Sequence, residues 1–447
     1  MSTNKPNVIL AMTDDQGWGD TGYNGHPVLQ TPHLDHMAAE GIRFDRFYST
    51  APVCSPTRGG CLTGRHPYRY GIYFANVGHI PKDEITLAEA LKTQGYVTGH
   101  FGKWHLGTLT KDIIDGRRGG RENEHYSPPW DNGFDTCFST EVAIPTCDPM
   151  QDQNVPSKYW TGPGRWAKEN LDGDDSRVIM DRAIPFIRWA AEQKQPFLAV
   201  IWFHSPHSPV RASNRHRAMY ARRSFDEQHY FGCITAMDEQ TGRLRQELQS
   251  CGIADNTMLW FCADNGPAGE GGGIAQHPGG RQQGRSGPFR GRKGSLYEGG
   301  IRVPGLLVWA NRVSAPRVID GPCSTSDYFP TVLASLGFTL EGRAEPLDGE
   351  NLMPLIDGHP FYREHPIGFE SQKQISLIDR RYKLYSPDQG TSCELYDLLE
   401  DRKETRDLAA EKPEIVRKMA VKLNQWRQSL RESQKGKNIS PCDPVDG

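Results

Sequence analysis

Three strand-like runs of this chain are followed at once by side chains that could bind a metal ion or transfer a proton. These side chains are Asp14 and Asp15 after the run 8–12, His204 after 197–203, and Asp264 and Asn265 after 258–263. Each run is continuously apolar and rich in β-branched or aromatic residues, which predicts a buried strand. Because ligands bind beyond the carboxyl ends of strands in open α/β sheets, we expect the three segments to meet in one crevice.

The acidic residues of this set favour a hard cation. Asp14, Asp15 and Asp264 offer carboxylates, and Asn265 offers an amide oxygen. An all-oxygen set suits Ca²⁺ better than Zn²⁺, whose sites favour His and Cys. Either pair alone could simply cap a helix or a turn. Two such pairs at two strand ends favour a Ca²⁺ site.

A cysteine opens another segment with chemical potential. Residues 54–60 read Cys-Ser-Pro-Thr-Arg-Gly-Gly, which predicts a turn that enters a helix. Free N–H groups at a helix N-terminus favour an anion. A nucleophile at Cys54 would therefore face the central atom of a bound anion. By itself, the thiol could equally be a metal ligand or a core residue.

Helices must alternate with the strands to place these ends. A fourth buried strand is predicted at 306–309. Thr31 precedes a proline at the first helical position, and Gly41 predicts the end of that helix. Thr86 and Glu89 form a capping-box pattern. Such alternation through most of the chain predicts an α/β fold, with a mostly parallel sheet between helices.

The pattern changes after Leu340. Short strand-like segments at 375–378 and 382–385 precede a helix that carries an apolar stripe. The stripe consists of Ile415, Met419, Leu423, Trp426 and Leu430. Because 447 residues exceed what one hydrophobic core usually supports, we predict two units. They are a large α/β domain over 1–345 and a smaller C-terminal α+β subdomain over 346–447.

Composition excludes several partners. The formal net charge is −3, which gives no global basic field for nucleic acid or an anionic membrane. The longest apolar runs, such as 197–203, fall far short of the roughly 20 residues that span a bilayer. The first residues lack the apolar core of a secretory signal, so we expect a cytoplasmic protein, or a periplasmic or secreted one whose signal was removed. The 10 cysteines are scattered, which favours buried thiols slightly over a disulfide framework.

Several segments together resemble the sulfatase family. Residues 54–58 match the Cys-x-Pro-x-Arg signature that directs conversion of cysteine to formylglycine in that family, and 59–65 continue it. The other similar segments, in family order, are 14–17, 95–107, 204–207, 264–266 and 293–300. By this resemblance the chain is identified as a formylglycine-dependent (type I) sulfatase with the alkaline-phosphatase-like fold, of the bacterial carbohydrate or aryl sulfatase kind.

The resemblance implies a mechanism. Cys54 would be converted to formylglycine by a formylglycine-generating enzyme, and the gem-diol of the hydrated aldehyde would be the nucleophile. One Ca²⁺ would bind Asp14, Asp15, Asp264 and Asn265, with the modified Cys54 also among its ligands. The reaction would be hydrolysis of a sulfate ester.

The resemblance also implies roles for the basic residues. Arg58 and Lys103 would hold the ionised diol, and His105 would accept a proton when the covalent intermediate collapses. His204 and Lys293 would bind the sulfate and assist the departing alcohol oxygen. Alone, each of these residues is more often a surface charge or a structural histidine, and it is their place within the matching segments that favours the catalytic interpretation.

Other functions are compatible with parts of this pattern. A phosphonate or phosphate monoester hydrolase of the same superfamily is the alternative, and a catalytically silent sulfate-binding protein is another class. We expect the substrate to be a small-molecule or oligosaccharide sulfate, most readily a carbohydrate sulfate. The segments expected to shape specificity are 112–166 and the Gly-rich stretch 266–291, which is either a surface loop or a substrate rim carrying Arg281, Arg285 and Arg290. Weaker rim candidates are His66, Asn76 and His207.

Overall fold

The four predicted buried strands are neighbours at the centre of one sheet. The structure is a computed structural model, and it describes residues 5–113, 115–116, 123–151, 157–269, 283–342 and 346–435. In chain order, the strands are β1 (Asn7–Thr13), β2 (Ile42–Phe44), β3 (Phe47–Tyr48), β4 (Val97–Lys103), β5 (Thr136–Thr140), β6 (Trp160–Gly162), β7 (Arg165–Trp166), β8 (Phe197–Trp202), β9 (Thr257–Ala263), β10 (Arg302–Val303), β11 (Gly305–Val308), β12 (Arg317–Ile319), β13 (Cys323–Ser324), β14 (Ile367–Ser371), β15 (Gln374–Asp379), β16 (Tyr382–Ser386) and β17 (Glu394–Asp397).

The large sheet is mixed, with a parallel centre. Its strand order is β12-β2-β11-β9-β1-β8-β4-β5-β6-β7. Strands β9, β1, β8, β4 and β5 are mutually parallel. β11 runs antiparallel to β9 and β2, and β6 and β7 form an antiparallel edge. The predicted parallel arrangement therefore holds at the centre of the sheet, where β1, β4, β8 and β9 end at or just before candidate site residues.

Helices cover both faces of this sheet. In chain order, they are α1 (Pro32–Glu40), α2 (Cys54–Thr63), α3 (Leu87–Lys92), α4 (Asp175–Glu192), α5 (Asn214–Ala218), α6 (Phe225–Ser250), α7 (Glu298–Ile301), α8 (Tyr328–Ser335), α9 (Met353–Ile356) and α10 (Pro413–Gln434). Strand β1 shows the two layers, because Val8, Leu10 and Met12 pack with α2, α3 and α8, whereas Ile9 and Ala11 pack with α1, α4 and α6. The predicted α/β class is confirmed.

Local helix signals also hold. α1 begins after Thr31 and ends at Gly41, as predicted. The Thr86 hydroxyl accepts the backbone N–H of Glu89, and the Glu89 carboxylate accepts the N–H of Thr86, which completes the capping box of α3. Within the described ranges, none of the helices combines the length and the apolar character that a bilayer crossing requires. The cysteines of those ranges are free thiols.

A small antiparallel sheet forms the C-terminal part. Strands β14 to β17 pair consecutively. One face packs under α10 through residues such as Leu377, Leu395 and Met419, and the other packs against the large part, where Leu296 joins Phe369. The predicted amphipathic helix is therefore present as α10.

The predicted boundary between 345 and 346 stays a prediction. Residues 343–345 lie outside the described ranges. α9 follows them, and its side chains join the core beneath α2 and α8. That packing would assign α9 to the large domain and move the boundary towards β14.

Candidate active site

The carboxyl ends of β1 and β9 bring the predicted acidic residues together. In the parallel register of these strands Thr13 lies opposite Ala263, so Asp14 and Asp264 leave the sheet side by side. Carboxylate oxygens of Asp14, Asp15 and Asp264 lie within 4.8 Å of one another, and all three residues are buried. The convergence predicted from the strand ends is thus present in the structure.

Asn265 completes this oxygen cluster. Its Nδ2 donates to Asp15 Oδ1 at 2.8 Å. Its buried Oδ1 accepts no hydrogen bond from the described part of the chain. Leaving a buried amide oxygen without a donor is costly, so this oxygen fits a cation ligand. With the three carboxylates it makes an all-oxygen set that suits a divalent metal ion.

Three cationic side chains surround the carboxylates. Arg58, on α2, donates to Asp264 Oδ2 at 2.7 Å and to the carbonyl oxygen of Lys103 at 3.0 Å. Lys103 ends β4, and its Nζ lies 2.6 Å from Asp14 Oδ2. Lys293 Nζ lies 2.6 Å from Asp15 Oδ1. Each carboxylate therefore has its own cation, which holds the cluster together in a buried site.

The buried charges perturb one another strongly. Burial would raise the pKa of Asp14, but Lys103, His207 and Arg58 outweigh it and hold that pKa well below its usual range. Burial, and next the negative charge of Asp14, raise the pKa of Asp264 to about 7. Carboxylates this close resist simultaneous ionisation, and a bound cation would relieve that repulsion.

Cys54 lies at the first turn of α2, beside this cluster. The thiol sulfur, an Asp14 oxygen and a His207 nitrogen lie within 4.8 Å of one another. Every residue of α2 is buried, and Cys54 is 2% exposed. The helix N-terminus favours negative charge at this point. Its position matches the one predicted for a nucleophile that faces an anion.

The structure argues against the predicted role of His204. This residue follows β8 and is fully buried. Its Nδ1 lies 2.8 Å from Asp175 Oδ2, and its Nε2 lies 2.7 Å from Thr140 Oγ1. Because both ring nitrogens already have protein partners, His204 cannot donate to a leaving group in this arrangement. It fastens the end of β8 to α4 and β5.

His207 occupies the position expected of His204. Its Nε2 lies 3.6 Å from Asp15 Oδ2, and the same ring lies near Cys54 and Asp14. Nδ1 donates to the carbonyl oxygen of Ser208 at 2.6 Å, which leaves Nε2 facing the cluster. Sequence reasoning ranked His207 only as a rim candidate. Its membership of the same short segment, 204–207, was the signal that could have identified it.

His105 is fixed by a residue that sequence reasoning placed on the rim. His105 Nε2 lies 2.6 Å from Asn76 Oδ1. The backbone N–H of Asn76 donates to the Ser55 hydroxyl at 3.3 Å, next to Cys54. Asn76 adopts a left-handed conformation with φ 65°, which Asn tolerates better than most residues. Asn76 thus links His105 to the first turn of α2.

The remaining rim candidates lie elsewhere or face other partners. His66 is buried against Trp426 of α10, where burial lowers its pKa to about 3. Arg290 stacks on Tyr297 and donates to the Tyr396 hydroxyl. Arg281 lies outside the described residues. His66 is therefore not a rim residue, and it joins the large part to the C-terminal helix.

Comparison with known proteins agrees with this geometry. A mixed sheet between helices, with an acidic cluster beyond its parallel strands and a small antiparallel sheet after it, defines a protein of the alkaline-phosphatase-like class. The sequence profile described as Sulfatase matches residues 6–338. The chain therefore belongs to the sulfatase family.

Individual relatives support the same assignment. Human N-acetylgalactosamine-6-sulfatase is 35% identical over 375 residues, which are 78% of this chain and 66% of that protein. The chain thus spans slightly less than two thirds of that relative. The crystal structure of Ps i-CgsB in complex with k-i-k-neocarrahexaose superposes with a TM-score of 0.81 and 26% identity, covering 94% of this chain and 92% of that one.

One solved structure outside the named sulfatases shares the fold. The phosphonate monoester hydrolase of Agrobacterium radiobacter superposes with a TM-score of 0.66 and 20% identity, covering 95% of this chain and 96% of that one. At this identity the likeness concerns the fold alone.

Proposed function

We propose that this chain is a sulfuric ester hydrolase whose nucleophile is formylglycine generated from Cys54. The observation that carries the proposal is the position of Cys54, which lies at the N-terminus of α2, with its sulfur within 4.8 Å of Asp14 and His207 atoms. The signature at 54–58 and the family membership support it. Because Cys54 is 2% exposed, the maturation enzyme would have to act before the chain folds.

Ca²⁺ is the metal that we propose for the acidic cluster. Asp14, Asp15, Asp264 and the free oxygen of Asn265 would hold it, since a hard cation prefers oxygen ligands. When bound, it would neutralise charge on the sulfate and lower the pKa of the hydrated aldehyde. The modified side chain of residue 54 would be a further ligand.

The side chains around Cys54 would orient and activate the nucleophile. Lys103 and Arg58 hold Asp14 and Asp264 and would place positive charge beside an oxygen nucleophile at position 54. His105, fixed through Asn76, would accept the proton that the second hydroxyl releases. These interactions favour the ionised nucleophile and the subsequent return of the aldehyde.

His207 and Lys293 would act on the sulfate and its leaving group. The Nε2 atom of His207 faces the cluster, and in the imidazolium form, with Nδ1–H held by the Ser208 carbonyl, its proton could pass to the departing alcohol oxygen. Burial lowers the pKa of this ring to about 4, and the negative charge of a bound sulfate ester would raise it again. Lys293 is partly exposed, with 20% of its side chain accessible, and would place its ammonium group against a sulfate oxygen. His207 replaces His204 in this role.

A sulfated carbohydrate is the substrate class that we propose. The human relative is named for a sulfated amino sugar, and Ps i-CgsB was crystallised with a neocarrahexaose. These features concern the class of substrate and favour no particular sugar.

The decisive experiment concerns Cys54. Protein co-expressed with a formylglycine-generating enzyme should show the aldehyde at residue 54 by peptide mass spectrometry and should hydrolyse sulfate esters. Cys54→Ala should lose at least about 10³ in kcat, as expected when a nucleophile is removed. Cys61→Ala, a buried thiol in the same helix, is the control for lost packing.

Two outcomes would contradict the proposal. Full activity in protein that carries only the thiol would rule out formylglycine. A phosphonate or phosphate monoester turned over faster than any sulfate ester would favour the alternative hydrolase.

A further inference from the structure

A side chain from the C-terminal sheet holds the segment that carries Lys293. Gln374, the first residue of β15, donates from Nε2 to the carbonyl oxygen of Gly294 at 2.8 Å. Its Oε1 accepts the backbone N–H of Leu296 at 3.0 Å. The same oxygen accepts the hydroxyl of Tyr385 at 3.2 Å. One amide therefore binds two backbone groups immediately after Lys293 and is itself held by a neighbouring strand.

The active site holds the same segment from the other side. The backbone N–H of Lys293 donates to the carbonyl oxygen of Pro267 at 3.0 Å, and that of Gly294 donates to Pro52 at 2.9 Å. Pro52 lies two residues before Cys54. The backbone around Lys293 is thus fixed between the loop that leads to Cys54 and the side chain of Gln374.

This arrangement connects the C-terminal sheet to the site. Lys293 Nζ lies 2.6 Å from Asp15 Oδ1, and its backbone is anchored at the next residue by Gln374. A lysine side chain has four rotatable bonds, so its ammonium group is placed reproducibly only when its backbone is fixed. We propose that Gln374 is a positioning residue for Lys293, an inference that rests on the role proposed above for that lysine.

The chemistry of glutamine explains why this residue type suits the task. Its amide offers a donor and an acceptor at once, which match a carbonyl and an N–H on the same backbone edge. Glutamate at this position could not donate to Gly294, and methionine has nearly the same length but neither group. Gln374→Met therefore removes both hydrogen bonds while it preserves most of the volume.

The test is a double-mutant cycle on kcat/KM with a sulfate ester. We expect Gln374→Met to lower kcat/KM about tenfold, since small misplacements of catalytic groups are costly. In the Lys293→Ala background the same substitution should change kcat/KM by less than about twofold, because the group that it positions is gone. A merely structural residue would instead give losses that multiply.

Two further variants separate positioning from folding. Tyr385→Phe removes the hydroxyl that holds Gln374 and should cost about threefold, again only when Lys293 is present. This milder change serves if Gln374→Met does not fold. Gln428→Met alters an exposed glutamine of α10 in the same subdomain and should leave kcat/KM unchanged.

Hydrogen exchange keeps this inference separable from the proposed function. In Gln374→Met the backbone amide of Leu296 should exchange its hydrogen at least about tenfold faster than in the wild type. In Gln428→Met the rate should equal that of the wild type. If the wild type hydrolyses no sulfate ester, the proposed function fails. In that case, an unchanged exchange rate of the Leu296 amide in Gln374→Met would also overturn the inference that Gln374 anchors the backbone after Lys293. With an active wild type, multiplicative losses in the cycle would overturn the positioning role.

Discussion

Two histidines three residues apart have opposite environments. His204 is fully buried between Asp175 and Thr140, whereas His207 has 16% of its side chain accessible and faces the acidic cluster. A general acid must reach the oxygen that it protonates. Access to the site therefore favours His207 over His204 for the proposed proton transfer.

The two roles predict different kinetics. His207→Ala should lower kcat/KM for a sugar sulfate by about 10²–10⁴ and for nitrophenyl sulfate far less, because an aryl oxide leaves without protonation. Lys293→Ala should cost about 10²–10³ with both substrates, since it stabilises sulfate charge whatever the leaving group. Steady-state kinetics of both variants on both substrates checks this. Equal losses for His207→Ala on the two substrates would refute the general-acid assignment.

His204→Ala is the matched comparison. Its loss leaves one buried oxygen of Asp175 and the Thr140 hydroxyl without their imidazole partner, which should lower the free energy of unfolding by about 1–3 kcal/mol. Urea denaturation measures this cost. Whatever activity the variant loses should be the same for sugar and aryl sulfates, and a leaving-group dependence would return the proton transfer to His204.

The oxygen cluster predicts a linkage between metal and stability. Adding Ca²⁺ at about 100 times its Kd to chelator-treated protein should raise the free energy of unfolding by about 2.7 kcal/mol. Asp264→Ala should abolish the increase together with turnover, while Asp255→Ala, an exposed carboxylate, should preserve both. Calorimetry and elemental analysis test this, and two bound Zn²⁺ ions per chain would contradict it.

At the scale of elements, the strand ends were predictable because buried strands have a recognisable sequence pattern. β1, β8, β9 and β11 each read as continuous apolar runs, and parallel pairing then places Asp14 and Asp264 side by side. The path of an irregular loop has no such signal. The sequence of residues 204–207 does not indicate that the chain turns in such a way that His207 faces the cluster and His204 does not.

The capping box of α3 carries a prediction at the same scale. Thr86 is fully buried, and its hydroxyl accepts from the Glu89 N–H and donates to the carbonyl oxygen of Asn132. Thr86→Ala should therefore cost about 2 kcal/mol, at the upper end for N-caps. Ser224→Ala removes the similar box at the exposed start of α6 and should cost about 1 kcal/mol or less. Urea denaturation of both variants measures these losses of stability. Equal losses would show that burial does not increase the contribution of an N-cap to stability.

At the scale of the whole molecule, the C-terminal part was predictable in its elements but not in its placement. The segments 375–378 and 382–385 became β15 and β16, and the apolar stripe became the buried side of α10. The side on which this unit docks depends on polar contacts between distant residues. Gln374 with Gly294, and Asp348 with Arg69, show no period or motif that would pair them.

Asp348 joins the large part to α10 and predicts how stability depends on pH. Its carboxylate accepts from Arg69 Nε at 2.7 Å, from the His66 N–H at 2.6 Å and from Trp426 Nε1 at 2.9 Å. Although burial would raise its pKa, the hydrogen bonds and charge of Arg69 outweigh burial and lower the pKa to about 2. Because the carboxylate pKa is lower in the folded state than the value of 3.8 expected for the unfolded chain, ionisation of Asp348 stabilises the fold at any pH above 3.8. This stabilisation is lost as the pH falls through about 2.

This pKa shift corresponds to about 2 kcal/mol in the free energy of unfolding at neutral pH, and about 1 kcal/mol of it should be lost by pH 3. Asp348→Asn leaves the buried Arg69 without its counter-charge and should cost about 3 kcal/mol at pH 7. The difference in the free energy of unfolding between wild type and variant should then shrink between pH 5 and pH 3, because the wild-type carboxylate becomes protonated more often there.

Asp379→Asn is the control, since it breaks the more exposed ion pair with Lys422 and should cost less than about 1 kcal/mol at pH 7. Urea denaturation across this pH range measures the difference, and a cost for Asp348→Asn that stays constant from pH 7 to pH 3 would show that the ionised carboxylate is not what fastens α10.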